Sequence, residues 1–192
     1  TPYDSLDQNS LYVSRNAFYA DYVARLDANG SVYPSKVVSG SKIPSNALWY
    51  VVKANNAIYI INKAGDKGTA VYPVREGATV NTVDVAHSSS RYAWQARTAT
   101  TTNGRSGMSI VDESGRFGWF AQPPNFKITV LKPAGQNGGV WTFEKTDFTV
   151  GIQQVRANAA KVSGQRYDLL GRPAGAEHHG IVIEGDGTKH VR

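Results

Sequence analysis

The chain of 192 residues contains no cysteine, which excludes disulfide staples, thiol catalysis and cysteine-ligated metal. It has no apolar run approaching the roughly 20 residues a membrane-spanning helix needs, so no such span is expected. Acidic residues are scarce, 15 against 21 Lys and Arg, giving a formal net charge of +6. A mildly basic surface attracts acidic glycans or nucleic acid. No Lys/Arg cluster interleaves with aromatic residues, however, so nucleic acid is not an expected partner. There is no initiating Met and no signal peptide, and the polar start TPYDSLDQNS reads as a product processed or cut from a longer one.

Catalytic and metal-binding signatures are missing as well. His87, His178, His179 and His190 fall in no His-x-x-x-His or His-Glu-x-x-His spacing, and the EHH triplet at 177–179 lies in a turn where neighbouring side chains diverge. DANG at 27–30 begins like a calcium loop but lacks the closing glutamate, so a hairpin turn is the better reading. Asp112 and Glu113 are consecutive on a hairpin and point apart, a poor acid/base pair. No P-loop, dinucleotide fingerprint or Gly-x-Ser-x-Gly occurs. The expectation is a non-enzyme with no cofactor, no metal and no catalytic residue.

What the chain does have is 19 glycines, 10 tyrosines against 6 phenylalanines, 41% hydrophobic residues and 19% charged ones. That composition fits a globular domain of short strands joined by tight turns. Trp49, Trp94 and Trp141 recur at spacings of 45 and 47 residues, and Tyr12 lies 37 residues before Trp49. Each opens a period-two stretch (YVSR, WYVVK, WQART, WTFEK), the pattern of a half-buried strand. A second anchor lies inside each period. ARLDANGSVYPS (24–35), IINKAGDKGTAVYP (60–73) and SIVDESGRFGWFAQP (109–123) each read as apolar strand, polar turn, then a strand ending in an aromatic and proline. The aromatics are Tyr33, Tyr72 and Phe120, and the turns draw on Asn29-Gly30, Gly65, Gly68 and Gly115 for positive φ.

Helical repeats are excluded because the period is two. A propeller needs about four blades or more, and only three units fit. The architecture expected is all-β: a β-trefoil over residues 8–148 with pseudo-threefold repeats. Its units are 12–48, 49–93 and 94–140, with a closing strand at 141–148 and a small C-terminal β module over 149–192 packed on it. The three repeating tryptophans are core residues rather than sugar platforms, each burying on the order of 200 Å². Segment 79–92 is a strand followed by a loop or one helical turn. Segment 96–107, with its threonines and glycines, is a long, polar, mobile loop. Trp119 stands outside the repeat, and alternation sends it and Phe120 to opposite faces, so one of the two is expected exposed, for ligand stacking or for packing against the C-terminal piece.

The pattern resembles the ricin-type lectin trefoils, whose repeats end in Gln-x-Trp. The matching triplets here are ALW (47–49), YAW (92–94) and GVW (139–141), which keep the Trp and lack the Gln. The resemblance covers about residues 8–148. In that family the sugar pocket uses an aromatic on the hairpin's return strand, an Asp earlier in the unit and an Asn three residues before the Trp. The resemblance therefore implies Tyr33, Tyr72 and Phe120 as the aromatics and places Asn46, Arg91 and Gly138 at the Asn position. Asp21 and Asp27 lie near the Asp position. The first unit is the best preserved pocket and the third the poorest. The expected ligand residues are Tyr33, Asn46, Asp27, Asp21, Tyr72 and Trp119. An aromatic face covers a sugar's C–H face, and a carboxylate and an amide fix its hydroxyls.

The tail resembles the short C-terminal modules of secreted proteins from Bacteroides-type bacteria, through YDLLGR (167–172) and GIVIEGDGTK (180–189). RANAAK after TVGIQQV reads as a linker, 165–173 and 180–192 as strands, with EGDGTK as a hairpin tip. This implies a bacterial, secreted or surface protein. The expected partner is a glycan or polysaccharide, bound by a monomeric accessory module of a larger exported protein. The alternatives are a protein-binding trefoil, in which the 96–107 segment offers Arg97 or Arg105 to a trypsin-like protease as Kunitz-type inhibitors do, and a spacer that only positions a neighbouring domain.

Overall fold

In a computed structural model the described residues are 1–72, 74–84 and 93–148, with the backbone of 149, 166–168, 181–184 and 189–191. Two compact units divide the chain, Thr1–Asp147 and Phe148–Arg192. The first opens with a short helix, α1 (Pro2–Ser5), and the strands follow as β1 (Ser10–Asn16), β2 (Tyr22–Leu26), β3 (Val32–Lys36), β4 (Trp49–Ala54), β5 (Ala57–Asn62), β6 (Lys67–Ala70), β7 (Asn81–Asp84), β8 (Gln95–Thr100), β9 (Ser106–Val111), β10 (Phe117–Phe120), β11 (Val130–Pro133) and β12 (Trp141–Thr149). In the second unit β13 (Arg166–Asp168), β14 (Ile181–Glu184) and β15 (Lys189–Val191) form an antiparallel sheet with β14 central. The tail segments TVGIQQV after Thr149 and RANAAK, the EHH triplet and the 185–188 tip lie outside the described residues.

Six strands of the first unit close a barrel. β12, β1, β4 and β5 pair in that order, and β8 pairs β9, which pairs β12. The ring is completed where the amides and carbonyls of Ile58 and Trp94 exchange two hydrogen bonds of 2.8 Å. Three antiparallel hairpins, β2–β3, β6–β7 and β10–β11, cap one end. They meet in a triangle of backbone hydrogen bonds. Val32 N donates to Val80 O (2.9 Å), Val80 N to Thr129 O (2.9 Å) and Thr129 N to Val32 O (2.8 Å).

The register shows how the repeats are arranged. Trp49 lies opposite Tyr12, Trp94 opposite Ile58 and Trp141 opposite Met108. Each tryptophan therefore opens or immediately precedes the last strand of a unit, and the units run β1–β4, β5–β8 and β9–β12. Tyr12 belongs with Ile58 and Met108, not with the tryptophans. It shares their alternation because facing strands of one barrel alternate alike. The indole N–H groups repeat faithfully. Trp49 Nε1 donates to Ala24 O (2.9 Å), Trp94 Nε1 to Thr69 Oγ1 (3.0 Å) and Trp141 Nε1 to Trp119 O (3.0 Å).

Ala24, Thr69 and Trp119 are thus equivalent, and all three are buried. Only one is large. The Trp119 indole meets Trp49, Trp94 and Trp141 at centroid distances of 6.3, 5.5 and 6.4 Å, each edge to face. This overturns the expectation that Trp119 or Phe120 is exposed. Trp119 is 0% exposed and Phe120 7%. β10 is covered on both sides, by the indoles on one and on the other by Phe126, 5.7 Å from the Phe120 ring.

Asn16, Asn62 and Asp112 repeat at the corners where barrel gives way to cap. Asn16 Nδ2 donates to Gly138 O (3.0 Å) and Asn62 Nδ2 to Asn46 O (2.9 Å). Asp112 accepts from the amides of Ser114 (3.0 Å) and Phe117 (2.9 Å) while Glu113 is exposed, so the two diverge. At the turns, positive φ occurs at Gly30 and Gly115 but also at Asp66, Asn55 and Asn56, and not at Gly65 or Gly68. Gly68 is a strand residue of β6, and Asn55-Asn56 makes the β4–β5 hairpin, because asparagine tolerates the left-handed region. The 96–107 segment is not a long mobile loop. Most of it is β8 and β9, and its tip is tied down by Thr102 N to Asn137 Oδ1 (2.9 Å) and Arg105 Nη1 to Ala17 O (3.3 Å). Arg97 lies within β8, its Nη2 donating to Gln95 Oε1 (3.0 Å).

Two expected results follow from the packing. Thr129 has a buried hydroxyl with no hydrogen-bond partner, while its equivalents Val32 and Val80 carry methyls. Thr129→Val should raise stability by about 1 kcal/mol, because a buried hydroxyl without a partner is disfavoured. A higher urea midpoint at unchanged slope would show it, and a lower midpoint would refute it. The N-terminal arm covers the other barrel end, with Leu6 buried and Asp7 N donating to Tyr12 Oη (2.8 Å). Hydrogen bonds from Asn9 N and Ser10 Oγ, and then Lys145 Nζ, hold the Asp7 carboxyl down at about 2. A carboxyl depressed on folding stabilises the fold above its unfolded value near 4, and that contribution disappears as pH falls toward 2. The gap in melting temperature between the parent and Asp7→Asn should be constant near pH 6 and close between about pH 4 and 2. A pH-independent gap would exclude this role.

Candidate functional site

The outer face of the first cap hairpin gathers the only expected ligand residues that lie together among the described residues. Asn29-Gly30 turns the chain so that Arg25 faces Tyr33 and Val23 faces Ser35 across β2–β3. Alternation puts Arg25, Tyr33 and Ser35 on one face, and Tyr33 is half-buried. Arg25 Nε donates to Asn46 Oδ1 (2.6 Å) and Nη1 to Ser35 Oγ (3.4 Å). Asn46, in the 3-10 turn Ser45–Ala47, donates through Nδ2 to Leu26 O (2.7 Å). Both ends of its amide are engaged, so it clamps the turn to the hairpin.

The other expected residues are dispersed. Asp21 and Asp27 flank β2 at opposite ends, about 20 Å apart along a strand of this rise, so one sugar cannot touch both. Asp27 Oδ1 accepts from the amides of Asn29 (2.9 Å) and Ser31 (2.8 Å) and shapes the hairpin turn, while Asp21 is exposed. Tyr72 is 76% exposed just after β6. Trp119 is in the core and offers no face to a ligand.

Nor do Tyr33, Tyr72 and Phe120 occupy one repeating position. Their apparent match came from counting to the aromatic-proline ends, whereas the register pairs Arg25 with Tyr33, Ala70 with Asn81 and Phe120 with Val130. The equivalents of Tyr33 are therefore Asn81 and Val130. In the third unit Phe120 fills the place that Arg25 holds in the first. A Cβ on Gly138 would run into the Phe120 ring and Ala121 O, so that pocket is closed. Arg91, the second-unit counterpart of Asn46, lies outside the described residues. Arg25 and Ser35 were missed because the hairpin is centred on Asn29, which pairs 25 with 33, whereas a two-residue Asn29-Gly30 turn would pair 25 with 34.

A separate open groove of about 430 Å³ lies beside α1, lined by Pro2, Thr98, Ser106, Met108, Thr142 and Phe143 among others. It offers hydroxyls but no charged side chain. No group of three or more His, Cys, Asp or Glu that could hold a metal ion occurs among the described residues.

With this geometry in hand, the molecule is a β-trefoil. Solved structures with the same fold include the BEL β-trefoil (TM-score 0.60, 10% identity, covering 76% of this chain and 100% of that one). Others are the Polyporus squamosus lectin bound to the human-type influenza-binding epitope Neu5Acα2-6Galβ1-4GlcNAc (0.58, 15%, 73% and 50%) and the Rhizoctonia solani agglutinin (0.57, 14%, 74% and 98%). This chain thus spans half the length of the Polyporus lectin. No protein-family model and no curated protein sequence matches the chain.

Proposed function

We propose that this chain is a non-catalytic carbohydrate-binding module that takes a glycan on the outer face of the first cap hairpin, as the accessory part of a larger exported bacterial protein. The observation that carries the reading is Tyr33, a half-buried aromatic flanked by the hydrogen-bonding groups of Arg25 and Ser35 on the β2–β3 hairpin. A flat apolar face beside a few fixed polar groups is what a pyranose ring requires. The occurrence of the fold in the Polyporus lectin and the Rhizoctonia agglutinin supports the same reading. Tyr72, exposed on the second unit, is a candidate second contact.

A broad glycan array followed by titration calorimetry tests the proposal. Tyr33→Ala is expected to weaken binding by about tenfold or more, the loss of one aromatic contact and its burial, with Tyr72→Ala reporting on the second unit. Silence across the array, or binding indifferent to Tyr33→Ala, would refute the assignment to this face.

A further inference from the structure

Arg25 is poorly compensated for a half-buried cation. A guanidinium carries five N–H donors. Two are engaged, by Asn46 and by Ser35, and both acceptors are uncharged. Among the described residues no carboxylate lies within ion-pair distance of Arg25, whereas Arg15, Lys67, Lys132 and Lys145 each have one. The nearest acids by sequence are occupied or remote. Asp27 has turned into its own hairpin, and Asp21 stands at the far end of β2. The Nε bond to Asn46 fixes the guanidinium plane, and Asn46 is itself held by Leu26 O, so the group is positioned before any ligand arrives. Beside it, directly across the strand pair, is Tyr33.

From this we infer that the first-unit face selects an acidic saccharide, with the carboxylate of a hexuronate on the open edge of the Arg25 guanidinium and the pyranose ring on Tyr33. The inference rests on the glycan-binding reading of the same face. A planar carboxylate matches the two-pronged edge of a guanidinium, and such charge-assisted pairs are stronger than neutral ones. With a cation rather than an acid among the fixed polar groups beside Tyr33, this face favours a negatively charged ligand over a neutral one.

The test uses the full chain and a panel of hexuronate oligosaccharides (galacturonan, glucuronan and alginate fragments), each paired with its methyl ester, which keeps the shape and removes the charge. Sulfated oligosaccharides form a third arm. At raised salt, which screens the general positive surface, at least one acid is expected to bind about tenfold tighter than its ester. Arg25→Gln should close that gap, Arg25→Lys should restore part of it, and Lys127→Gln, an exposed cation of the third unit, should leave it intact. Because Arg25→Gln also loosens Asn46, the parent protein supplies a second readout. Its Arg25 Nε–Hε NMR signal should shift on adding the uronate and not on adding the ester.

Equal binding of acid and ester with dependence on Tyr33 would overturn this inference and leave the glycan-binding reading standing. A gap that survives Arg25→Gln or falls equally with Lys127→Gln, an unmoved Arg25 signal, or a preference for the sulfated arm alone would also overturn it. No binding to any saccharide would remove both readings.

Discussion

Replacing Trp119 by alanine is expected to lower the stability of the trefoil by about 4 kcal/mol, the middle of the range for emptying a large aromatic site in a core. The indole is the hub of the barrel. It is fully buried and makes edge-to-face contact with all three repeating tryptophans, so its removal opens one cavity shared by three units. The strands around it are closed into a ring and cannot collapse far to fill that space. Trp119→Phe should cost much less, about 1–2 kcal/mol. The Trp119 Nε1 has no hydrogen-bond partner, and removing a buried, unpaired donor offsets part of the lost contact. Trp49→Phe gives the internal contrast, since that indole donates to Ala24 O and its loss deprives a buried carbonyl. It should cost about 1 kcal/mol more than Trp119→Phe. Urea unfolding followed by circular dichroism measures all three, and a Trp119→Ala loss below about 1 kcal/mol would contradict the hub.

Arg15→Met should be the second most damaging change, at about 3 kcal/mol. Arg15 is buried on β1, and its guanidinium joins three separate segments. Nη1 donates to Ala20 O (2.9 Å) and Val37 O (2.6 Å), and Nε to Glu144 on β12. Methionine preserves the packing of the stem but strands two carbonyls behind the first hairpin. Most of the energy lies in those carbonyls rather than in the ion pair, because the Glu144 side chain is 43% exposed and screened by water. Glu144→Gln is therefore expected to cost less than about 1 kcal/mol. If Glu144→Gln matched Arg15→Met, the ion pair and not the carbonyl clamp would be the source of stability.

The same contrast between local and distant determinants explains how much of the fold is legible in the sequence. Period-two alternation around Trp49, Trp94 and Trp141 announced half-buried strands, and the threefold repeat announced the barrel. Unit boundaries were displaced by one strand because Tyr12 alternates like the tryptophans it faces. The β4–β5 turn was overlooked because its positive φ residues are Asn55 and Asn56 rather than glycine. Tyr33 and Asn46 were named from their positions, yet their relation was not. Arg25 stands between them and donates to the Asn46 amide oxygen.

The sequence alone determined the β class, the number of units and the interior place of the repeating indoles, because alternation and turn chemistry depend only on neighbours along the chain. Only the tertiary structure decided that Trp119 is the central side chain and that Phe120 closes the third hairpin at the place Arg25 holds in the first. Ala24, Thr69 and Trp119 come from segments far apart in sequence and converge on a single volume, which has room for one large group. Similarly, Phe120 closes the third unit by lying over Gly138, whereas the matching place in the first unit holds Arg25. Which residue fills each equivalent position is set by competition for shared space, and no one segment encodes the outcome.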